Sequence, residues 1–428
     1  MRFEVDEAGT IARVAPNSPR DGATLLAGAA VPGMPNAHSH VFQRTLAGRT
    51  EATAADDSFW GWRRAMYAFL EHLDPDLFEA LAADAYVEML KAGYTSVAEF
   101  HYLHHGPGGV PYAHRTEMSE RVLAGARAAG IGLTLLPVFY RYGDFGTTPP
   151  AGGQARFVND LDGFTQLWRE LARMVSGMPL VRLGAAPHSL RAVAAEDLPR
   201  LLAAVDAGAP VHIHVSEQMR EVQACRAYYG TTPLEVLSKS VTLDERWSLV
   251  HATHATPAER SLVAAAGCVV VLCPTTEANL GDGIFAASDF VAGGGRIAIG
   301  SDSNVSLDVA EELRWLEYGQ RLTLQRRGVL RSPGRSLAGG LFERCAKGGR
   351  QALAQPVGAF APGSRADFVV LEEGDEQNGP SMNRYVFKSG AWRVRDVIVA
   401  GGYVVRDGHH AQEEAIRRRA LRAAASIA

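Results

Sequence analysis

Cysteine is scarce. Cys225, Cys268, Cys273 and Cys345 are the only four in 428 residues, and no two stand as C-x-x-C. No disulfide framework is therefore expected, and the thiols read as buried side chains of a reduced compartment. Charge of one sign is also missing: 43 basic side chains face 47 acidic ones for a formal net charge of -4. That balance calls for neither nucleic acid nor an anionic membrane as a partner. No stretch reaches 18 uninterrupted apolar residues, so no spanning helix is expected. The first residues, MRFEVDEAGTIARV, lack a basic segment followed by an apolar one. No secretory signal is visible, and a cytoplasmic location is the expectation.

What is present is a core. Hydrophobic residues make up 47% of the chain and charged ones 21%, which suits a folded protein with one large domain plus a small appendage, or two to three ordinary ones. Short apolar runs recur: TSVAEF (95–100), IGLTLLPVFY (131–140), VRLGAAPH (181–188), APVHIHV (209–215), WSLVHA (247–252), GCVVVLCP (267–274) and GRIAIGSD (295–302). Between them lie Ala- and Leu-rich stretches of helical spacing, among them 77–93, 119–130 and 196–208. Strand-then-helix repetition predicts a parallel sheet covered by helices. This many units over residues 31–356 predict an α/β fold of the closed (β/α)8 TIM-like barrel type, with a doubly wound open sheet as the alternative.

The flanks read differently. Residues 1–30 suggest short strands around the turn PNSPRDG. Residues 357–410 suggest β-hairpins built from 366–372, 385–388, 393–399 and 402–406. Neither piece has enough apolar area to stand alone, so both ends are expected to meet in one small composite β-sandwich. Residues 411–428 predict a terminal helix.

Polar residues fall where strands end: His38, His40, Glu99, His101, His188, His214, His251 and Asp302. In a barrel those ends share one face and can build one pocket. His38 and His40 in PNAHSH are two apart, which in a strand aims both imidazoles to the same side. With His214 and Asp302 they form a nitrogen/oxygen donor set suited to one Zn²⁺, with Fe²⁺ a possible substitute. Ca²⁺ and Mg²⁺ prefer all-oxygen shells and are not expected. Taken alone, each histidine reads as an ordinary packed side chain, and only their convergence points to metal. Glu217, in HVSE, begins the loop after His214. A carboxylate beside the ion but outside its ligand set can move protons in a hydrolytic deamination. His251 is a candidate for orienting or deprotonating the attacking water, with a fourth metal ligand or an outer donor as alternatives.

Together PNAHSH, HIHVSE, the isolated strand-end His251 and IGSDS resemble the amidohydrolase superfamily in its mononuclear deaminase branch. The resemblance spans nearly the whole chain, because PGSRADFVVLE (362–372) is similar to that superfamily's composite β-domain. Binuclear relatives carry a carboxylated lysine at the strand end where this chain has VRLGAAPH, a departure that implies one metal. Further similarity lies in HSHVFQR (38–44), FHYLHH (100–105), PHSLRAV (187–193), HVSEQ (214–218) and CPTTEANLGDGIF (273–285). It implies hydrolytic deimination of N-formimino-L-glutamate, a small anionic amidine of histidine degradation, by a homodimer. It assigns His38, His40, His214 and Asp302 to zinc, and Glu217, His251 and Asp302 to acid/base work. Gln43, Arg64, Tyr102, His188 and Arg191 are the implied substrate contacts.

The chemistry of the residues alone stops at a zinc hydrolase for a small, polar, anionic substrate. Arg191, in the SLR after His188, can hold a carboxylate through two parallel hydrogen bonds. Two rival readings stand beside this one. A purine or other aminated-heterocycle deaminase on the same barrel would favour an aromatic pocket supplied by Phe42, Trp60, Trp62 and Phe285. A non-catalytic metal-binding protein would hold the ion and turn over nothing.

Overall fold

A computed structural model describes residues 1–49, 51, 59–373, 381–390 and 392–425. Its first strands, β1 (Arg2–Val5) and β2 (Ile11–Ala15), form an antiparallel pair. β3 (Ala29–Pro32) follows, and then the barrel begins with β4 (Met34–Ser39), β5 (Tyr94–His101) and β6 (Gly132–Phe139). The fourth barrel strand is broken into β7 (Val181–Leu183) and β8 (Ala186–Pro187). β9 (Val211–Val215), β10 (Trp247–His251), β11 (Val269–Leu272) and β12 (Arg296–Ile299) complete the set. Between the two pieces, a Cβ on Gly184 would lie 2.6 Å from both the Pro210 carbonyl oxygen and Leu136 Cδ2. The chain crosses its neighbours there too closely for any side chain.

Pairing is parallel within β4-β5-β6-β7 and within β9-β10-β11-β12. Two seams join these arcs. Ala185 bridges Val211 at one, where His212 N–H donates to the Ala185 carbonyl at 3.1 Å. Ser39 bridges Asp302 at the other, with His40 N–H donating to the Asp302 carbonyl and Asp302 N–H to the His38 carbonyl, both at 2.9 Å. The sheet is therefore a closed barrel, not the open doubly wound alternative. Every residue of β4, β5, β6, β9, β10 and β11 is buried. That two-sided burial is why these strands read as continuous apolar runs rather than alternating ones.

The remaining sheet is antiparallel in the order β16-β15-β14-β13-β3, adding β13 (Phe368–Glu373), β14 (Trp392–Val399), β15 (Gly402–Arg406) and β16 (His409–His410). β3 pairs with β13, so one strand from the N-terminal part completes a sheet from the C-terminal part. The β1–β2 pair packs on it through Phe3, Ile11, Phe360 and Phe368.

One strand expectation fails. Residues 385–388 were expected in a hairpin, but the helix Met382–Phe387 occupies that place. Met382, Tyr385 and Val386 recur at i, i+3, i+4, and all three pack on the main core. The four letters YVFK are too short a window to separate that period from a strand's. The terminal helix forms as Glu413–Ala425 and docks on Pro75–Lys91, burying Ile416 and Ala420. No helix among the described residues is long and apolar enough to cross a membrane.

Candidate active site

His38, His40, His214 and Asp302 meet at the C-terminal ends of their strands, all buried. His38 Nε2 lies 3.1 Å from His40 Nε2 and 3.1 Å from His214 Nε2. Asp302 Oδ1 is 3.4 Å from the first and 3.3 Å from the second. His40 Nδ1 donates to the Phe100 carbonyl at 2.9 Å and His214 Nδ1 to the His188 carbonyl at 3.1 Å. Those backbone acceptors hold the Nδ1 protons, so both Nε2 lone pairs face inward, toward that of His38. Burial, then the neighbouring histidines, keep His38 and His214 well below the ordinary imidazole pKa; burial also lowers His40. Neutral imidazoles crowding their lone pairs together repel one another unless a cation sits between them. The donor set thus fits a divalent metal of the Zn²⁺ type.

The barrel seam fixes this geometry. Asn36 accepts the Ser301 N–H at 3.0 Å, and Asn304 donates to the His40 carbonyl at 3.0 Å. Gly300 lies directly under His38, where a Cβ would be 2.8 Å from His38 Cβ and 2.9 Å from its N and O. Gly300→Ala is therefore expected to displace His38, costing about 1–3 kcal/mol of stability by overpacking. Thermal melts and metal analysis of the purified variant check it, since both Tm and metal content should fall together. Backbone strain gathers here too. Of eleven non-glycine residues with left-handed φ among those described, Ser216, His251, Ala252, Asp302 and Asn304 lie at strand ends around the cluster.

Glu217 stands in the loop after β9, buried beside the cluster but outside it. Its Oε1 is 3.8 Å from His251 Nε2, and its N–H donates to Glu221 Oε2 at 3.0 Å. Burial pushes its carboxyl above the ordinary range, against the pull of His251 and Arg191. His251 Nε2 lies 3.6 Å from Asp302 Oδ2, while Nδ1 is 3.1 Å from Glu277 Oε1. Burial disfavours charge on that imidazole, but Glu217, Glu277 and Asp302 together outweigh it and hold its pKa well up.

A pocket opens over these groups at the strand ends. Gln43, Tyr102, His188 and Arg191 line it. Gln43 Nε2 donates to Tyr102 OH at 2.7 Å, and His188 Nδ1 meets Ser189 Oγ at 3.0 Å. The Arg191 guanidinium is nearly buried, and its Nη2 lies 3.9 Å from Glu217 Oε2. Arg64 is not at the pocket. It lies on the exposed face of the helix Phe59–Leu70, whose inward face presents Arg63, Met66 and Tyr67. The i, i+3, i+4 spacing of those three was the available signal for Arg63. Glu277 lies within CPTTEANLGDGIF, where nothing in its sequence position gives it a role. Of the aromatic residues expected for a heterocycle pocket, Trp62 lines the cavity, whereas Phe42 and Phe285 are buried in the core. The Trp60 side chain lies outside the described residues. Tyr67, Tyr102, Tyr140 and Phe157 add aromatic surface that the sequence had not singled out as such.

A closed parallel barrel with three convergent imidazoles, a carboxylate and a free-standing acid at its strand ends has the build of a metal-dependent hydrolase. The chain belongs to the amidohydrolase family, whose model matches residues 29–404. It is 49% identical to the formimidoylglutamate deiminase of Pseudomonas aeruginosa over 421 residues, covering 97% of this chain and 93% of that one. It is 28% identical to the 8-oxoguanine deaminase of the same organism, over 87% of this chain and 83% of that one. Among solved structures, an amidohydrolase from Brucella melitensis superposes with a TM-score of 0.92 at 40% identity, over 99% of this chain and 95% of that one.

Proposed function

We propose that this chain hydrolyses N-formimino-L-glutamate to N-formyl-L-glutamate and ammonia in histidine degradation, breaking a C–N bond of a linear amidine. Zn²⁺ is the ion proposed for His38, His40, His214 and Asp302, with Fe²⁺ a substitute that the same donors accept. When bound, it supplies a more acidic water and a Lewis acid for the substrate. Water adds across the formimino carbon, Asp302 takes its proton, and His251 orients the attacking oxygen through Nε2. Glu217, whose carboxyl burial pushes up toward the acid form, gives its proton to the formimino nitrogen as the oxygen adds; the C–N bond then breaks as the remaining hydroxyl proton passes through Glu217 to that nitrogen, which leaves as ammonia, and the proton held by Asp302 restores Glu217. The observation that carries the reading is Arg191: a nearly buried guanidinium that lines the pocket, with the Glu217 carboxylate 3.9 Å away and so beyond hydrogen-bond reach, is suited to a substrate carboxylate. Arg63, beside the same pocket, is proposed for the second carboxylate in place of Arg64. The expected homodimer and cytoplasmic location remain part of the proposal.

Ammonia release from a panel of formiminoglutamate, guanine, adenosine and related bases tests it. Formiminoglutamate should be the preferred substrate. Preference for a base would favour the heterocycle reading, which the pocket's aromatic lining supports, and retention of metal with no turnover would favour a binding protein. A second measurement separates the arginines. Arg191→Met should lower kcat/KM for formiminoglutamate about 10²-fold, or about 2.7 kcal/mol, without changing metal content. Arg63→Met should act chiefly on kcat/KM as well, and Arg64→Met should do little. A large effect confined to Arg64→Met would reverse that assignment.

A further inference from the structure

We propose that Glu277 is a positioning residue that sets the ring orientation of His251. The inference rests on the reading of His251 as the group that orients the attacking water. Glu277 lies in the helix Pro274–Leu280, just after β11, and is buried. Its Oε1 accepts the Cys273 N–H at 2.9 Å and is 3.1 Å from His251 Nδ1. The first bond roots the carboxylate on the start of its own helix, so its position is fixed before it meets the imidazole.

His251 needs such a partner. It closes β10 with φ +67°, followed by Ala252 at +49°, a strained pair that aims the ring into the pocket. Packing alone does not distinguish an imidazole from the same ring rotated by half a turn. A carboxylate acceptor at Nδ1 does: it keeps the proton on Nδ1 and leaves Nε2 facing Asp302 Oδ2 at 3.6 Å and Glu217 Oε1 at 3.8 Å. With the ring reversed, Nε2 would no longer point between the two groups that exchange protons with the substrate. Glu277 touches none of the reacting atoms and acts only through His251.

Proton NMR of the metal-loaded protein, with no substrate added, should show a slowly exchanging, far-downfield imidazole proton. It should vanish in both Glu277→Met and His251→Asn, and Glu277→Gln, which keeps an acceptor oxygen, should retain it at a shifted position. In turnover assays Glu277→Met should lower kcat about 10–100-fold with KM and metal content nearly unchanged, and Glu277→Gln should recover much of that loss. Adding Glu277→Met to His251→Asn should cost nothing further. A downfield proton absent from wild type or surviving in Glu277→Met overturns the proposal. So do additive losses in the double variant, or metal loss in parallel with kcat. Because the NMR arm needs no substrate, it still decides the matter if formiminoglutamate proves to be the wrong substrate.

Discussion

Chelation of the divalent ion should reduce ammonia release to background, and about one equivalent of Zn²⁺ per chain should restore it. The expectation follows from the lone pairs. His40 and His214 each commit Nδ1 to a backbone carbonyl, so their Nε2 atoms face His38 Nε2 at 3.1 Å, a spacing that a shared cation satisfies for all three at once. His38 Nδ1 is itself buried without a hydrogen-bond partner among the described residues, so no second anchor holds that ring. His214→Ala removes one donor and should not recover activity at one equivalent of added metal. Elemental analysis of protein purified without added metal, paired with turnover, makes the check. Full activity in the stripped protein, or two tightly held ions per chain, would count against the site as drawn.

Much of this architecture was legible because both of its signals are short-range. A buried parallel strand is a continuous apolar run, and its end is marked where a polar residue interrupts it. His214 closes HIH, His251 closes WSLVH, and Asp302 follows IAIGS. The spacing of His38 and His40 needed only the two-residue period of a strand. Features that depend on long-range geometry were less accessible. The close approach of Gly184 to the Pro210 carbonyl, at the break in the fourth strand, joins parts of the chain with no local cue. The same is true of Glu277, whose role appears only when the turn after β11 is brought beside the end of β10.

Phase was the other difficulty. Arg63 and Arg64 are adjacent, and one residue of helix is a rotation of about 100°, enough to move a side chain from pocket to solvent. Nothing in WRR sets that angle; Met66 and Tyr67, packed one turn later, do. At Met382–Phe387 the uncertainty was between periods rather than phases. The buried Val386 and the Arg314 side chain that donates to its carbonyl belong to a helix that YVFK alone could not specify. There the missing information was tertiary packing.

Glu217→Gln should lower kcat about 10³-fold while leaving metal content and fold intact. The substitution keeps the shape of the side chain and removes its exchangeable acid proton. Glu217 is outside the four-residue cluster, so the ion should stay bound. Its Oε1, 3.8 Å from His251 Nε2, and its Oε2, 3.9 Å from Arg191 Nη2, place it between the group proposed to orient water and the group proposed to hold a carboxylate. A substrate anchored at Arg191 would therefore bring its formimino nitrogen past Glu217. Burial favours the neutral acid, the form that can give up a proton when ammonia leaves. Without that donor the nitrogen must depart as a much poorer leaving group, and KM should change far less than kcat because the substrate's carboxylates still find their arginines. Steady-state kinetics with formiminoglutamate, together with elemental analysis of the variant, make the test. Near-wild-type kcat would remove Glu217 from the proton path, and loss of the ion would make it a ligand instead.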